Sequence, residues 1–75
     1  MERYLNRGGN SGVAGYSITA DSITVYFNDG GQYLYNYTYT GQRDVEHMKA
    51  LAVSGRGLNS YISSVVKKRY ARKIR

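Results

Sequence analysis

The sequence predicts an α+β fold, in which a three-stranded antiparallel sheet (β-β-β) is followed by two helices packed on one face of the sheet. Two observations support this prediction. Apolar and aromatic residues alternate with a period of two before residue 40, and the period changes to three and four after Gly41. With 75 residues the chain has room for one small core, so we expect a single domain over residues 13–75. Residues 6–12 are turn-forming by composition, and we expect residues 1–12 to form a flexible N-terminal arm.

The predicted strands occupy residues 13–19, 23–28 and 32–39. In the second strand, Ile23, Val25 and Phe27 alternate with polar or amphipathic residues, which indicates one buried face. The segment 28–31, Asn-Asp-Gly-Gly, is the strongest turn signal in the chain and predicts a β-hairpin. The third strand carries a tyrosine at every second position.

The direction of these tyrosines depends on the length of the hairpin loop, because a shift of one residue exchanges the two faces of a strand. A loop with an even number of residues would place them opposite the core. A three-residue loop, 28–30, closed by a glycine bulge, pairs Val25 with Tyr33 and Ile23 with Tyr35. We favour this register because the residues between the tyrosines are mostly polar. It directs the rings of Tyr33 and Tyr35 mainly into the core.

Two helices are predicted after the sheet. The first covers residues 42–54, where four apolar residues share one helical face and Ser54-Gly55 supplies a stop: Val45, Met48, Leu51 and Ala52. The second begins near Gly57, and its apolar stripe recurs at spacings of three and four as far as Tyr70: Leu58, Tyr61, Ile62, Val65, Val66, Arg69 and Tyr70.

The positive charge of the chain lies at its C-terminal end. The net charge is +6, but residues 1–66 contain five basic and five acidic side chains, which cancel. The excess therefore belongs to the last nine residues, a distribution that attracts polyanions. A solubilising tail is the alternative interpretation.

Several classes of protein are disfavoured by composition. The chain has no cysteine and one histidine, so we expect no disulfide, no metal site and no cofactor. The residues near His47 do not form a catalytic arrangement, and we expect a protein that is not an enzyme. No apolar run approaches the ~20 residues that span a bilayer, and the first residues do not resemble a signal peptide, so the expected location is cytoplasmic.

The order of motifs resembles that of the KTSC domain family, which occurs at the C-terminus of some lysyl-tRNA synthetases and as small stand-alone bacterial and phage-type proteins. The matching segments are Gly15-Tyr16, the alternating Ile23, Val25 and Phe27, the turn 28–31, Tyr33-Leu34-Tyr35, Ser54-Gly55, Leu58-Asn59 and the basic end 67–74. The resemblance covers roughly residues 11–74. It implies the fold given above, and RNA binding has been suggested for the family.

The candidate binding residues combine cations with aromatic rings. Cations contact phosphate oxygens, and tyrosines offer planes on which bases stack. The predicted phosphate-binding residues are Arg56, Lys67, Lys68, Arg69, Arg72 and Lys73. The predicted base-stacking residues are Tyr37, Tyr39, Tyr61 and Tyr70. For Arg56, which lies between two glycines, a plain helix–helix turn is the alternative.

Two classes of ligand fit these residues. One is a short RNA or DNA strand, and the other is a cyclic oligonucleotide signal sequestered by a phage-type sponge protein. A third hypothesis, from a different class, is a protein-interaction or self-assembling structural module. Such a module would form a homo-oligomer through its tyrosine-rich sheet. The expected partner is therefore a nucleic acid or a small cyclic nucleotide, and no membrane.

Overall fold

The chain forms one antiparallel sheet with two helices inserted before its last strand. The structure, a computed structural model, describes residues 1–9 and 11–75. Asn10, part of the predicted arm, lies outside the described residues. The strands are β1 Glu2–Arg3, β2 Val13–Ile18, β3 Ser22–Phe27, β4 Gln32–Asn36 and β5 Arg72–Lys73, and they neighbour one another in chain order. The helices are α1 Gln42–Ser54 and α2 Leu58–Tyr61, and a π-helical segment, Ile62–Val66, continues α2.

The predicted class is confirmed: an α+β fold with an antiparallel sheet followed by two helices. The predicted number of strands is wrong, because the sheet has five strands and not three. The two additional strands, β1 and β5, lie at the two edges and have two residues each. None of the described helices is long and apolar enough to cross a membrane.

The central hairpin has the expected register. Val25 pairs with Tyr33 and Ile23 pairs with Tyr35. The amide of Phe27 donates to the carbonyl of Gly31 across 2.8 Å, which leaves a three-residue loop, and Gly30 has a φ of 93°. This positive φ is the conformation that the closing residue of such a loop requires, and glycine adopts it at little cost.

A bulge in β2 allows Val13 and Tyr16 to point into the same core. Residues three positions apart in a regular strand would point to opposite faces. Val13 pairs with Phe27 and Gly15 with Tyr26, so the register shifts between Val13 and Gly15. The extra residue restores the phase of the strand, and both Val13 and Tyr16 are buried.

The N-terminal residues belong to the fold, contrary to the expected arm. Glu2 and Arg3 pair with β2, and the Tyr4 side chain is only 4% exposed. The Tyr4 hydroxyl accepts a hydrogen bond from the Leu58 amide at 3.3 Å, at the start of α2. A two-residue strand carries no alternation, so the sequence pattern does not reveal it.

The first helix matches its prediction in both bounds and face, and Val45, Met48 and Ala52 are buried. The second begins one residue after Gly57 but does not continue to Tyr70 as predicted. It ends at Val66, where the Lys67 amide donates to the Ile62 carbonyl at 2.6 Å in a π-type bond. Leu58, Ile62 and Val66 of the predicted stripe are buried, whereas Val65 is exposed.

Beyond Val66 the chain turns back to the sheet. The Ala71 amide donates to the Leu34 carbonyl at 2.7 Å, and β5 then pairs with β4 so that Lys73 lies opposite Tyr33. The basic C-terminal residues therefore form a sheet edge instead of the last turns of a helix. The helices and the core lie on one face of the sheet, and no described helix packs against the other face.

Candidate functional site

A cleft of about 310 Å³ opens between the hairpin and the segment that follows the π-helical segment. Aromatic side chains and two lysines dominate its lining. We call it the aromatic cleft, and its lining residues are Phe27, Asp29, Tyr33, Tyr35, Ile62, Lys67, Lys68 and Tyr70.

The aromatic rings of the cleft pack edge to face. The centroids of Tyr33 and Tyr70 lie 4.9 Å apart, those of Phe27 and Tyr33 5.6 Å, and those of Tyr35 and Tyr70 6.3 Å. These spacings fall in the range that aromatic pairs prefer. The rings therefore hold one another in place.

The innermost phenol of the cleft stays uncharged. Burial raises the pKa of Tyr35 to about 12, and the proximity of Tyr33 and Tyr70 adds to the rise. A neutral hydroxyl both donates and accepts hydrogen bonds. At physiological pH this wall therefore offers apolar and polar contacts without repelling an anion.

A second depression, of about 610 Å³, adjoins the aromatic cleft and shares Asp29 and Tyr33 with it. Lys73 and Arg75 bring positive charge to it, and the Lys73 ammonium lies 5.8 Å from the centroid of the Tyr33 ring. At this distance the ammonium is attracted to the ring face. Tyr33 thus lines both depressions, and each depression has two basic side chains.

One acidic residue, Asp29, lines both depressions. Its carboxylate accepts a hydrogen bond from the Gly31 amide at 2.9 Å, so it stabilises the hairpin turn. The other charged lining residues of the two depressions are all basic: Lys67, Lys68, Lys73 and Arg75.

Lys67, which lines the cleft, has an unfavourable backbone conformation. Its φ is 53° and its ψ is −120°, where residues with a side chain are rarely found. Such a residue costs ~1–3 kcal/mol unless the surrounding structure imposes it. A glycine here would relieve the strain but would remove the ammonium from the mouth of the cleft.

The predicted cations are divided between several places. Lys67 and Lys68 line the aromatic cleft, and Lys73 lines the adjoining depression. Arg72 pairs with Leu34, so its side chain is on the opposite face of the sheet. The structure therefore brings three of the six predicted cations together around Tyr33.

Arg69 does not join them, because its guanidinium forms an internal network. It donates to the Asp44 carboxylate at 2.6 Å and to the Thr40 carbonyl at 2.7 Å. The Tyr61 hydroxyl donates to the same carboxylate at 2.6 Å. Arg69 therefore links α1 to the C-terminal segment, and Tyr61 links α1 to α2. Neither residue lines the aromatic cleft.

Tyr37 and Tyr39 also lie outside the cleft, because β4 ends at Asn36 and not at Tyr39. The Tyr37 hydroxyl donates to the Glu46 carboxylate at 2.6 Å, and this hydrogen bond raises the pKa of Tyr37. Tyr39 is 66% exposed in the turn that follows. Of the four predicted stacking residues, only Tyr70 lines the aromatic cleft.

Arg56 is exposed between Gly55 and Gly57, which have φ values of 76° and 85°. These positive values explain the two glycines as residues of a helix–helix turn. Arg56 lines neither depression around Tyr33.

Sequence reasoning did not assign Phe27, Tyr33, Tyr35 or Arg75 to a site. Tyr33 and Tyr35 were expected mainly in the core, and Tyr35 is indeed 2% exposed, yet both contribute to the cleft wall. The signal that could have revealed this is the pairing of β4 with a basic edge strand. Two-residue strands carry too little pattern to predict that pairing.

Comparison with protein-family models, with curated proteins and with solved structures finds no match to this chain. In residues 1–9 and 11–75 no three histidine or acidic side chains converge as metal ligands would. The geometry itself offers a neutral aromatic wall beside several ammonium groups. Such a surface suits a flat, aromatic group that is attached to an anion.

The network around Asp44 generates a pH-dependent prediction. The hydrogen bond from Tyr61 and then the Arg69 guanidinium hold the pKa of Asp44 below its ordinary value. Because the folded pKa is the lower one, this stabilisation is present above the unfolded value of ~3.9 and disappears as the pH falls through the folded value. Asp44→Asn should lower the free energy of unfolding by about 1 kcal/mol at neutral pH.

The measurement is urea unfolding of both proteins as a function of pH. The difference between wild type and Asp44→Asn should shrink as the pH falls through the lowered pKa of Asp44, where the wild-type carboxyl also becomes neutral. A difference that stays constant down to that pH would contradict the assigned role of the carboxylate.

The strained backbone of Lys67 generates a second prediction. Lys67→Gly should raise the free energy of unfolding by about 0.5–1 kcal/mol, since relief of strain exceeds the entropic cost of glycine. Lys68→Gly is the matched control, because Lys68 does not have a positive φ. It should lower the free energy of unfolding by about 0.5 kcal/mol. Equal losses in both variants would show that Lys67 is not strained.

Proposed function

We propose that this protein binds phosphate-bearing nucleotide ligands without transforming them. The aromatic cleft holds the base, and the ammonium groups of Lys67 and Lys68 contact the phosphate. The observation that supports the proposal is the convergence of these lysines on a cleft walled by Phe27, Tyr33 and Tyr70. Positive charge and ring faces meet on one surface, as binding of a nucleotide requires.

The size of the cleft favours a small unit. Its volume of about 310 Å³ lies near the lower end of the range of ligand sites, ~300–1,000 Å³. One base with its sugar fits such a volume better than a stacked pair of bases. The adjoining depression, with Lys73 and Arg75, offers a second place for phosphate oxygens.

The backbone of Lys67 also supports the proposal. Residues in strained conformations are concentrated at functional sites, where the side chain is needed in that position. The chain has a lysine at a position whose backbone conformation favours glycine. Loss of stability in exchange for a ligand contact is the usual compromise at binding sites.

The family resemblance forms part of the proposal. The order of β2, β3, β4, α1 and α2 is the one that the resemblance to KTSC domains implies. Within this proposal the chain is a small stand-alone domain whose ligand is either a short RNA or DNA strand or a sequestered cyclic oligonucleotide. The tyrosines of β4 offer little support for self-association through the sheet, since Tyr35 is buried and Tyr33 is only partly exposed.

The proposal predicts that two lysines at the cleft matter more than two arginines elsewhere. The variant with both Lys67→Gln and Lys68→Gln should bind nucleotides about tenfold more weakly, because two contacts to phosphate are lost. The measurement is isothermal titration calorimetry with AMP, cyclic dinucleotides, cyclic trinucleotides and short RNA. Thermal denaturation of each variant checks that it remains folded.

The matched control carries Arg43→Gln and Arg56→Gln, which remove the same charge at positions that do not line the cleft. Its affinity should stay within about twofold of wild type. A pair of uncharged substitutions tests the rings: Tyr33→Leu should weaken binding, whereas Tyr39→Leu should not. If the two charge variants lose affinity equally, the ligand responds to net charge and the cleft is not the site.

A further inference from the structure

The face of the sheet opposite the helices has its own chemistry. Cross-strand pairing and alternation assign to it the residues Arg3, Gly15, Ser17, Ser22, Thr24, Tyr26, Gln32, Leu34, Asn36 and Arg72. We call this set the open face. Ser17, Thr24, Tyr26, Gln32 and Leu34 are each partly exposed.

The open face is positively charged at both edges. Arg3 lies on β1 and Arg72 on β5, both are exposed, and none of the residues of the open face is acidic. Glu2 is assigned to the other face, because adjacent residues of a strand point in opposite directions. The two arginines are separated by four strand spacings, about 19 Å, which is wider than one nucleotide.

Tyr26 supplies an aromatic ring at the middle of the open face. It pairs with Gly15 on one side and Gln32 on the other, and its hydroxyl lies 3.2 Å from that of Ser17. This hydrogen bond restrains the direction of the ring. Gly15 has no side chain, and the apolar Met1 side chain packs against it in the place that a larger residue would occupy.

The edge strand β5 connects the open face to the aromatic cleft. Lys73 lies opposite Tyr33 and Arg72 lies opposite Leu34, so consecutive residues place cations on both sides of one edge. The edge is a single strand wide. The sugar-phosphate backbone of a nucleic acid that passes Lys73 on one side of this edge would reach Arg72 on the other side.

We propose that the nucleotide in the aromatic cleft is one unit of a single-stranded nucleic acid, which continues around β5 onto the open face. Arg72 and Arg3 contact its backbone, and one base stacks on Tyr26. A single strand fits because its bases are unpaired and can lie flat on an aromatic ring. This inference rests on the proposed function, and it selects the polymeric ligand over the small cyclic one.

The experiment measures fluorescence anisotropy with homopolymeric RNA and DNA oligonucleotides from two to twelve nucleotides, and calorimetry with the mononucleotide. Affinity should rise with length until the strand covers both sides of β5. Arg72→Gln and Tyr26→Thr should each weaken binding of the longest oligonucleotide about fivefold and leave mononucleotide binding unchanged. Comparison of the RNA and DNA series shows which sugar the surface accepts.

Each variant of the open face has a control with the same substitution at another position. Arg43→Gln removes one positive charge outside the open face and the cleft, and Tyr39→Thr removes one exposed ring in a turn. Both should bind the longest oligonucleotide within about twofold of wild type. Thermal denaturation identifies any variant that has lost its fold, and Tyr26→Phe, which keeps the ring, should retain affinity.

The outcomes separate this inference from the proposed function. If Arg72→Gln and Tyr26→Thr behave like their controls while the Lys67 and Lys68 variants lose affinity, the open face is not used and the inference is overturned. Tighter binding of a cyclic dinucleotide or a mononucleotide than of the longest oligonucleotide would overturn it as well. If neither nucleotides nor oligonucleotides bind, the proposed function fails and the extension falls with it.

Discussion

The position of the basic C-terminal segment depends on the contact between Thr40 and Arg69. The Thr40 hydroxyl donates to the Arg69 carbonyl at 2.6 Å, and the Arg69 guanidinium donates to the Thr40 carbonyl at 2.7 Å. Thr40 is 2% exposed, so these polar groups would be costly to bury without each other. The pair joins the turn after β4 to the residues that leave the π-helical segment, and it directs the chain back towards the sheet.

This return of the chain creates the aromatic cleft. Once Arg69 is held, Tyr70 packs against Tyr33 and Tyr35, and β5 pairs with β4. Lys67 then lies at the mouth of the cleft in a strained conformation. A helix that continued to Tyr70, as the sequence pattern predicts, would carry the same cations away from the rings. The combination of charge and aromatic surface is thus a product of tertiary structure rather than of the basic sequence alone.

The parts of the fold that the sequence predicts are those with strong local patterns. The turn 28–31 and the alternation of β3 and β4 specify the hairpin register, and one apolar face specifies α1. The edge strands β1 and β5 have two residues each and no pattern of their own. The sequence pattern predicts a helix as far as Tyr70, because this residue continues the spacing of three and four. Neither a glycine nor a proline marks the end of that helix, so only tertiary contacts reveal that it stops at Val66.

The measurement that tests the central claim most directly is an NMR titration of the isotope-labelled protein with a mononucleotide, in which contacts between protons of the base and of the tyrosine rings are observed. The account predicts intermolecular contacts from the base to Tyr33 and Tyr70, together with chemical-shift changes at the amides of Lys67 and Lys68. Contacts to Tyr39, or changes centred on Arg56 with none at the aromatic cleft, would contradict it.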